Sequence, residues 1–337
     1  RSQADITMKI GMLNTQYALS RFFSLLATTG YQHIESQSTQ TRNIAGWTFM
    51  GGGQITLNPA VTASVQVGSQ FNNFSGLIKN IHGVYIYEEG SYRSPKMNVW
   101  GISDKNLFLE ANDVLAKKEK PFFAIIQTAD NHRPFDIPLE DSDFVSRVIS
   151  DDTLARNGFE SLKEYNAFAY TDYCIKKFMD AASKEKYFNN TIFVFVGDHG
   201  VEGNADAVYP KAWTEQRLSD EHIPLLFYAP ALMTPEWHNE TVSQIDVLPT
   251  IAGMIQQPYL NTTMGRDLLD KNKSTNAAFI IYHAPGWIGV VGDDYFYRKN
   301  LRISKEELVP LKNGLPQLTN ATSDSLKKKY SLLTSAI

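Results

Sequence analysis

A single cysteine, Cys174, stands in 337 residues. That excludes an internal disulfide and a multi-cysteine zinc site, and the helical pattern around Cys174 marks it as a small buried apolar residue. No apolar run approaches the roughly 18 residues a membrane span needs. No signal-peptide pattern opens the chain, which starts RSQADITMKIGML without Met and without a clear strand. Positive charge is not in excess either: 32 Lys and Arg face 36 Asp and Glu, and a net charge of −4 argues against broad nucleic-acid binding, which needs a basic face. Internal repeats, low-complexity tracts and linkers are missing. The chain is expected to be the soluble part of something longer.

What is present is ordinary globular composition, 43% hydrophobic and 20% charged, at a length that fits one large α/β domain or two smaller ones. Residues 104–118 repeat Leu107, Phe108, Ala111, Val114 and Leu115 at helical spacing. Lys117, Lys118 and Lys120 suit the helix's negative pole, and Pro121 follows as a stop. Residues 122–127, FFAIIQ, read as a buried strand. Residues 162–183 read as a helix with Tyr165, Phe168, Ala169, Asp172, Ile175, Phe178 and Met179 on one side. The run IFVFV, residues 192–196, reads as a buried strand of a parallel sheet; residues 224–230, PLLFYAP, give a third strand, closed by proline. Residues 243–253 read as a turn into a short helix, and residues 279–282 and 289–292 continue the strand pattern. Alternation of this kind predicts an α/β fold with a doubly wound, mostly parallel sheet and helices on both faces.

The most informative stretch is TIFVFVGDHG, residues 191–200. In open α/β sheets, ligands bind outside the carboxyl ends of the strands. Asp198 and His199 stand there, between two glycines that permit close backbone approach. A carboxylate beside an imidazole suits a divalent cation of the zinc or manganese type; a solvated Asp with a capping His is the bland alternative. His132, in TADNHRPF, also follows a strand, so it and Asp198 are expected to face one crevice. The turn STQTRN, residues 38–43, offers hydroxyls that either cap a helix or act as a nucleophile. In NVWGISD, residues 98–104, Ser103 or Asp104 caps the following helix, and Trp100 either packs on a ligand or fills a core. His222, in EHIP, either supports an anion site or is solvated.

The ordered segments HRPF, YTDYCIKKFMDAASKEKYFNNTIFVFVGDHG, EHIPLLFYAP, SQIDVLPTIAG and MGRDLL together resemble the sulfatase-like branch of the alkaline phosphatase superfamily. Within it, the similarity is greatest to lipoteichoic acid synthases and related phosphoglycerol transferases, and it covers about residues 95–270. The resemblance implies a single sulfatase-like catalytic domain over residues 1–337, with about 270–337 as its C-terminal part, lacking an N-terminal strand and a membrane anchor. It implies one divalent metal, Mn or Zn with Mg or Ca as alternatives, held by Asp198, His199 and a nucleophilic threonine. Thr41 is the preferred nucleophile and Thr39 the alternative. It further implies that His132 binds the substrate's phosphate and takes part in catalysis, and that Trp100 lines the head-group pocket. Arg42 and His222 are additional candidates for substrate contact.

The implied substrate is a phospholipid or glycan phosphodiester, met on the periplasmic or extracellular side of a bacterial inner membrane. One departure stands out: the apolar strand ending in Glu-Ser, whose glutamate completes the family's metal site, is not found before Thr41, and Glu35 lies out of place for it. Residues 45–75 also match the family poorly. Two alternatives follow. A sulfatase is disfavoured because no C/S-x-P-S-R motif appears, and a catalytically inactive binding or sensory domain of the same fold is supported only by the missing glutamate.

Overall fold

The computed structural model describes residues 6–20, 23–36, 44–55, 62–67, 78, 81, 83–88, 90–270, 276–282 and 285–335, with backbone alone before residue 78. The chain divides into two compact units, Arg1–Asp141 with Thr171–Ala182, and Ser142–Tyr170 with Ser183–Ile337.

Among the described residues the first unit carries two sheets. Strands β1 (Ile6–Ser20), β2 (Phe23–Ser36) and β3 (Ile44–Ile55) form an antiparallel meander. The opening residues, expected to lack a clear strand, therefore supply β1; its Lys, Gly and Asn residues interrupt the alternation by which a strand is recognised. Glu35 and Ser36 are the last two residues of β2, so the Glu-Ser pair closes a strand, though not an apolar one of the kind the family carries. Its sequence, FSLLATTGYQHIES, is too polar to read as a buried run.

The second sheet is parallel, in the order β5-β4-β6, from β4 (Thr62–Val67), β5 (Val84–Tyr87) and β6 (Phe122–Gln127). Val65 is level with Ile86 on one side and Ile125 on the other. β6 is half-buried, with Ile125 exposed, because it forms an edge of this sheet. Helix α1 (Asp104–Leu115) packs on β6 and buries Leu107, Phe108, Ala111 and Leu115, one face at helical spacing.

In the second unit lie the short helix α2 (Asp151–Arg156), capped by Ser150, and the first nine residues of α3 (Leu162–Ala182); Thr171–Ala182 belong to the first unit. The buried stripe of α3 is Ala167, Tyr170, Cys174, Phe178 and Ala182, offset from the expected one, and Asp172 is exposed. Apolar residues encircle much of this helix, so more than one stripe fits the periodicity. In the first unit, Phe178 stacks on Phe108 at 5.1 Å, a burial worth about 2 kcal/mol per ring.

Strand β7 (Phe193–Val196) pairs antiparallel with β8 (Leu225–Tyr228). The expectation of a parallel neighbour for β7 is corrected here: a continuous apolar run reports burial, not the direction of the adjacent strand. The remaining strands β9 (Ala278–Tyr282), β10 (Trp287–Val291), β11 (Tyr295–Asn300) and β12 (Glu306–Pro310) form a second antiparallel meander. Both its faces are covered. Phe296 joins Leu218, Ile280 and Leu311 on one; Tyr297 joins Val290, Ala277 and Tyr330 on the other. Tyr330 comes from helix α6 (Asn320–Thr334), whose N-cap is Thr319. The short helices α4 (Lys211–Glu215) and α5 (Val247–Met254) complete the unit. Among the described residues no helix is long and apolar enough to cross a membrane.

Candidate functional site

In the first unit, two loops meet. One is the turn before α1, closed by an Asn98–Gly101 bridge, with Trp100 N–H donating to Asn98 Oδ1 at 2.9 Å. Gly101 sits at φ 131°, a conformation side chains disfavour, which is why glycine follows the tryptophan. The other loop leaves β6 and carries His132. The rings of Trp100 and His132 stack at 4.3 Å and 18°, and Trp100 Nε1–H donates to Arg133 O at 2.7 Å. His132 is exposed and Trp100 half-buried, so the pair presents an aromatic surface with an imidazole edge. Two residues singled out separately in the sequence are thus adjacent.

Beneath the stack lies a pair of buried carboxylates. Ser103 is the N-cap of α1, its hydroxyl accepting from Asn106 N–H. Asp104 instead reaches away from its helix: its carboxylate accepts from Ala129 N–H at 2.8 Å and Asp130 N–H at 3.2 Å. Reciprocally, Asp130 Oδ2 accepts from Asp104 N–H at 2.7 Å. Thr171, on α3, donates to Asn131 Oδ1 at 2.7 Å and stands 3.5 Å from Asp104 Oδ2. Burial pushes Asp104 up to about 6; burial and then the facing Asp104 charge push Asp130 up to about 8. These values belong to the pair, which keeps one proton well above the usual carboxylate range.

In the second unit, β7 ends in the corner 197–200, whose backbone groups are held from several directions. Gly197 N–H donates to Pro224 O at 3.3 Å and Gly200 N–H to Asp220 O at 2.5 Å. Gln244 Nε2–H bridges Gly197 O at 2.6 Å and Asp198 O at 2.9 Å. Gln244 stands on a 3-10 turn fixed by a Ser243–Asp246 capping box, and buried Asp246 also accepts from Arg266 N–H at 2.9 Å. The SQID and MGRD segments therefore act as a bracket for the corner. A Cβ on Gly200 would come within 2.2 Å of Ser219 O, so only glycine fits.

Asp198 and His199 project outward, their side chains 78% and 62% exposed. His199 Nδ1 lies 2.9 Å from Gly200 O, and Nε2 lies 3.8 Å from Asp198 Oδ2. Donors to one divalent ion at roughly 2.0–2.2 Å are at most about 4.4 Å apart, so this pair can share an ion. With its proton directed at Gly200 O, Nδ1 leaves the lone pair on Nε2, the arrangement usual for metal-binding histidines. The donor set fits a borderline cation of the Mn or Zn type. Among the described residues no cluster of three or more His, Cys, Asp or Glu side chains is placed to hold a metal.

His222 faces aromatic partners: Tyr209 OH is 3.1 Å from its Nδ1, and the rings of Tyr209 and Trp213 stand edge-on at 5.5 and 5.2 Å. Burial lowers its pKa from the ordinary value, which favours neutral imidazole. Thr39, Thr41 and Arg42 lie outside the described residues, and for Glu35 only the backbone is described. Sequence reasoning missed the bracket of Gln244 and the Asp104–Asp130 pair, although both stand in segments it had singled out.

A family model described as Sulfatase matches residues 20–256. Lipoteichoic acid synthase 1 of Bacillus subtilis (strain 168) is 25% identical over 220 residues, covering 62% of this chain and 33% of that protein. Lipoteichoic acid synthase of Staphylococcus saprophyticus is 27% identical over 187 residues, covering 53% and 28%. The chain thus spans about a third of the length of the curated relatives it matches. Among solved structures, the lipoteichoic acid synthase LtaP from Listeria monocytogenes aligns with a TM-score of 0.61 at 17% identity, covering 81% of this chain and 69% of that one. An alkaline phosphatase superfamily protein from Vibrio parahaemolyticus aligns with a TM-score of 0.59 at 23% identity, covering 82% and 64%. The expected α/β fold of alkaline phosphatase type is therefore the one observed.

Proposed function

Because the chain belongs to the sulfatase family, we propose that it is a metal-dependent phosphoryl-transfer enzyme acting on a phosphodiester, a phosphoglycerol lipid head group or a glycan. The observation that carries this reading is the corner at the end of β7, where adjacent carboxylate and imidazole donors are held outward by a bracketed backbone. On this reading residues 1–337 are one catalytic domain, with 270–337 its C-terminal part. The domain works on the outer side of a bacterial inner membrane.

Asp198 and His199 would hold one divalent ion, which when bound supplies positive charge that favours an alkoxide and offsets phosphate charge. Thr41, with Thr39 as the alternative, is the nucleophile. Its oxygen forms a bond to phosphorus, its proton passes to solvent, and the ester bond to the leaving alcohol breaks, giving a phospho-threonine. Water or a sugar hydroxyl then takes the phosphoryl group and restores the hydroxyl. His132 would contact a phosphate oxygen and protonate the departing alkoxide, and Trp100, stacked on it, would offer the face on which the head group rests. Arg42 and His222 are proposed as further phosphate contacts. The lipoteichoic acid synthase relatives favour this reading over sulfate-ester hydrolysis, as does the lack of a C/S-x-P-S-R motif.

The test is turnover of a generic aryl phosphodiester by purified protein with and without added Mn2+, alongside Thr41→Ala. Metal-dependent turnover that falls at least a hundredfold in Thr41→Ala is expected. Unchanged turnover in that variant would remove Thr41 from the mechanism. Tight Mn2+ binding with no turnover of any phosphodiester would favour the binding-domain reading.

A further inference from the structure

The Asp104–Asp130 pair lies outside the machinery just described. We infer that Asp104 and Asp130 are positioning residues: their reciprocal hydrogen bonds to backbone N–H groups hold the Trp100 turn and the His132 loop at the separation at which the two rings stack. Trp100 is four residues before Asp104, and His132 is two residues after Asp130, so the pair ties the loops together at their bases. Helix capping does not account for Asp104, because Ser103 is the N-cap and the Asp104 carboxylate accepts from Ala129 and Asp130 instead. Burial of both side chains, at 1% and 3% exposure, keeps water from replacing these bonds. Thr171 adds a third point of attachment from α3, through Asn131 beside His132. In function, which rests on the proposed head-group site, the pair sets how well a head group is received, acting through the rings and without touching substrate.

The geometry predicts an asymmetry. Asp130 accepts one backbone N–H that an asparagine oxygen can also accept, so Asp130→Asn should leave the stack intact. Asp104 accepts two N–H groups on two oxygens; Asp104→Asn presents an NH2 to one of them, donor against donor. Proton NMR of the full chain reads the stack directly. Among the seven histidines, the C2 proton of His132, identified by its loss in His132→Gln, should be shifted upfield by the stacked indole and should return toward its ordinary position in Trp100→Leu. That shift should persist in Asp130→Asn, disappear in Asp104→Asn and shrink in Thr171→Val. Its persistence in folded Asp104→Asn overturns the inference. Should that variant fail to fold, a full-sized shift in Thr171→Val overturns it instead.

With an aryl phosphodiester, Asp104→Asn should raise KM about tenfold, the loss expected for one hydrogen bond, with kcat little changed and Asp130→Asn near the unmodified protein. An unchanged KM alongside a lost shift overturns the role in substrate reception. Absence of turnover in the unmodified protein counts against the proposed function alone, since the NMR arm needs no substrate.

Discussion

Replacing Asp130 with asparagine should flatten the pH dependence of stability between pH 6 and 8. The folded-state carboxyl is raised from 3.8 to about 8 by burial and then by the charge of Asp104. A raised carboxyl stabilises the folded chain fully below its unfolded pKa and loses that contribution as pH climbs through the folded value. Here the contribution fades between about pH 4 and pH 8, with a limiting slope of about 1.4 kcal/mol per pH unit. At pH 6 the folded chain holds nearly one proton more than the unfolded chain, and at pH 8 about half of one. Integrated over that range, the loss is roughly 2 kcal/mol. Asp104, raised to about 6, adds only a few tenths of a kcal/mol there.

The charged groups bearing on Asp130 are Asp104, Asp141 and Asp136, all of which raise it, and Lys105 is paired with Asp141. Urea unfolding by circular dichroism at pH 6, 7 and 8 measures the effect, and hydrogen exchange in residues 97–135 localises it. The unmodified protein should lose roughly 2 kcal/mol more than Asp130→Asn over this range. Equal slopes in the two proteins would show that no proton is held by the pair, and the account of its burial would be wrong.

Two further substitutions probe the corner at the end of β7. Gly200→Ala forces its methyl against Ser219 O and His222 O, backbone atoms that cannot give way; a loss of about 2–3 kcal/mol in urea unfolding is expected, and a loss under 0.5 kcal/mol would contradict the packing. Gln244→Ala removes a donor from Gly197 O and Asp198 O. Because water reaches that position, stability should change by less than about 1 kcal/mol. Mn2+ affinity by titration calorimetry should fall about tenfold, and unchanged affinity would separate Gln244 from the proposed metal site.

The sequence was most legible where one physical signal dominated. FFAIIQ between Pro121 and a polar loop gave β6 with its observed bounds, and the helical spacing over 162–183 gave α3 to within one residue. The buried face of α3 was not legible, because apolar residues on several sides satisfy more than one stripe. Nor was the direction of β8 relative to β7: an apolar run states that a strand is covered, and pairing direction depends on how the connecting chain returns. β11 and β12 went unread because Arg298, Lys299, Glu306 and Glu307 look like solvated loop. Arg298 in fact pairs with Glu307 across the ladder and lies 4.3 Å over the Trp287 ring.

At the candidate site, residue types were readable and their use was not. Asp104, Asp130 and Asp198 are equivalent letters, one at a helix start and two just past strand ends. The fold separates them by what occupies their oxygens. Asp104 and Asp130 are buried and accept from backbone N–H groups of each other's loops, so they are committed to architecture. Asp198 is 78% exposed, and among the described residues its Oδ1 accepts from the adjacent His199 N–H, a local bond that exchange with solvent can open. A carboxylate already saturated by the fold has little to offer a ligand, whereas an outward one on a braced backbone does. The glycines and Gln244 supply that bracing for Asp198. They hold its backbone still while leaving its side chain to solvent, and that combination is what binding an external cation requires.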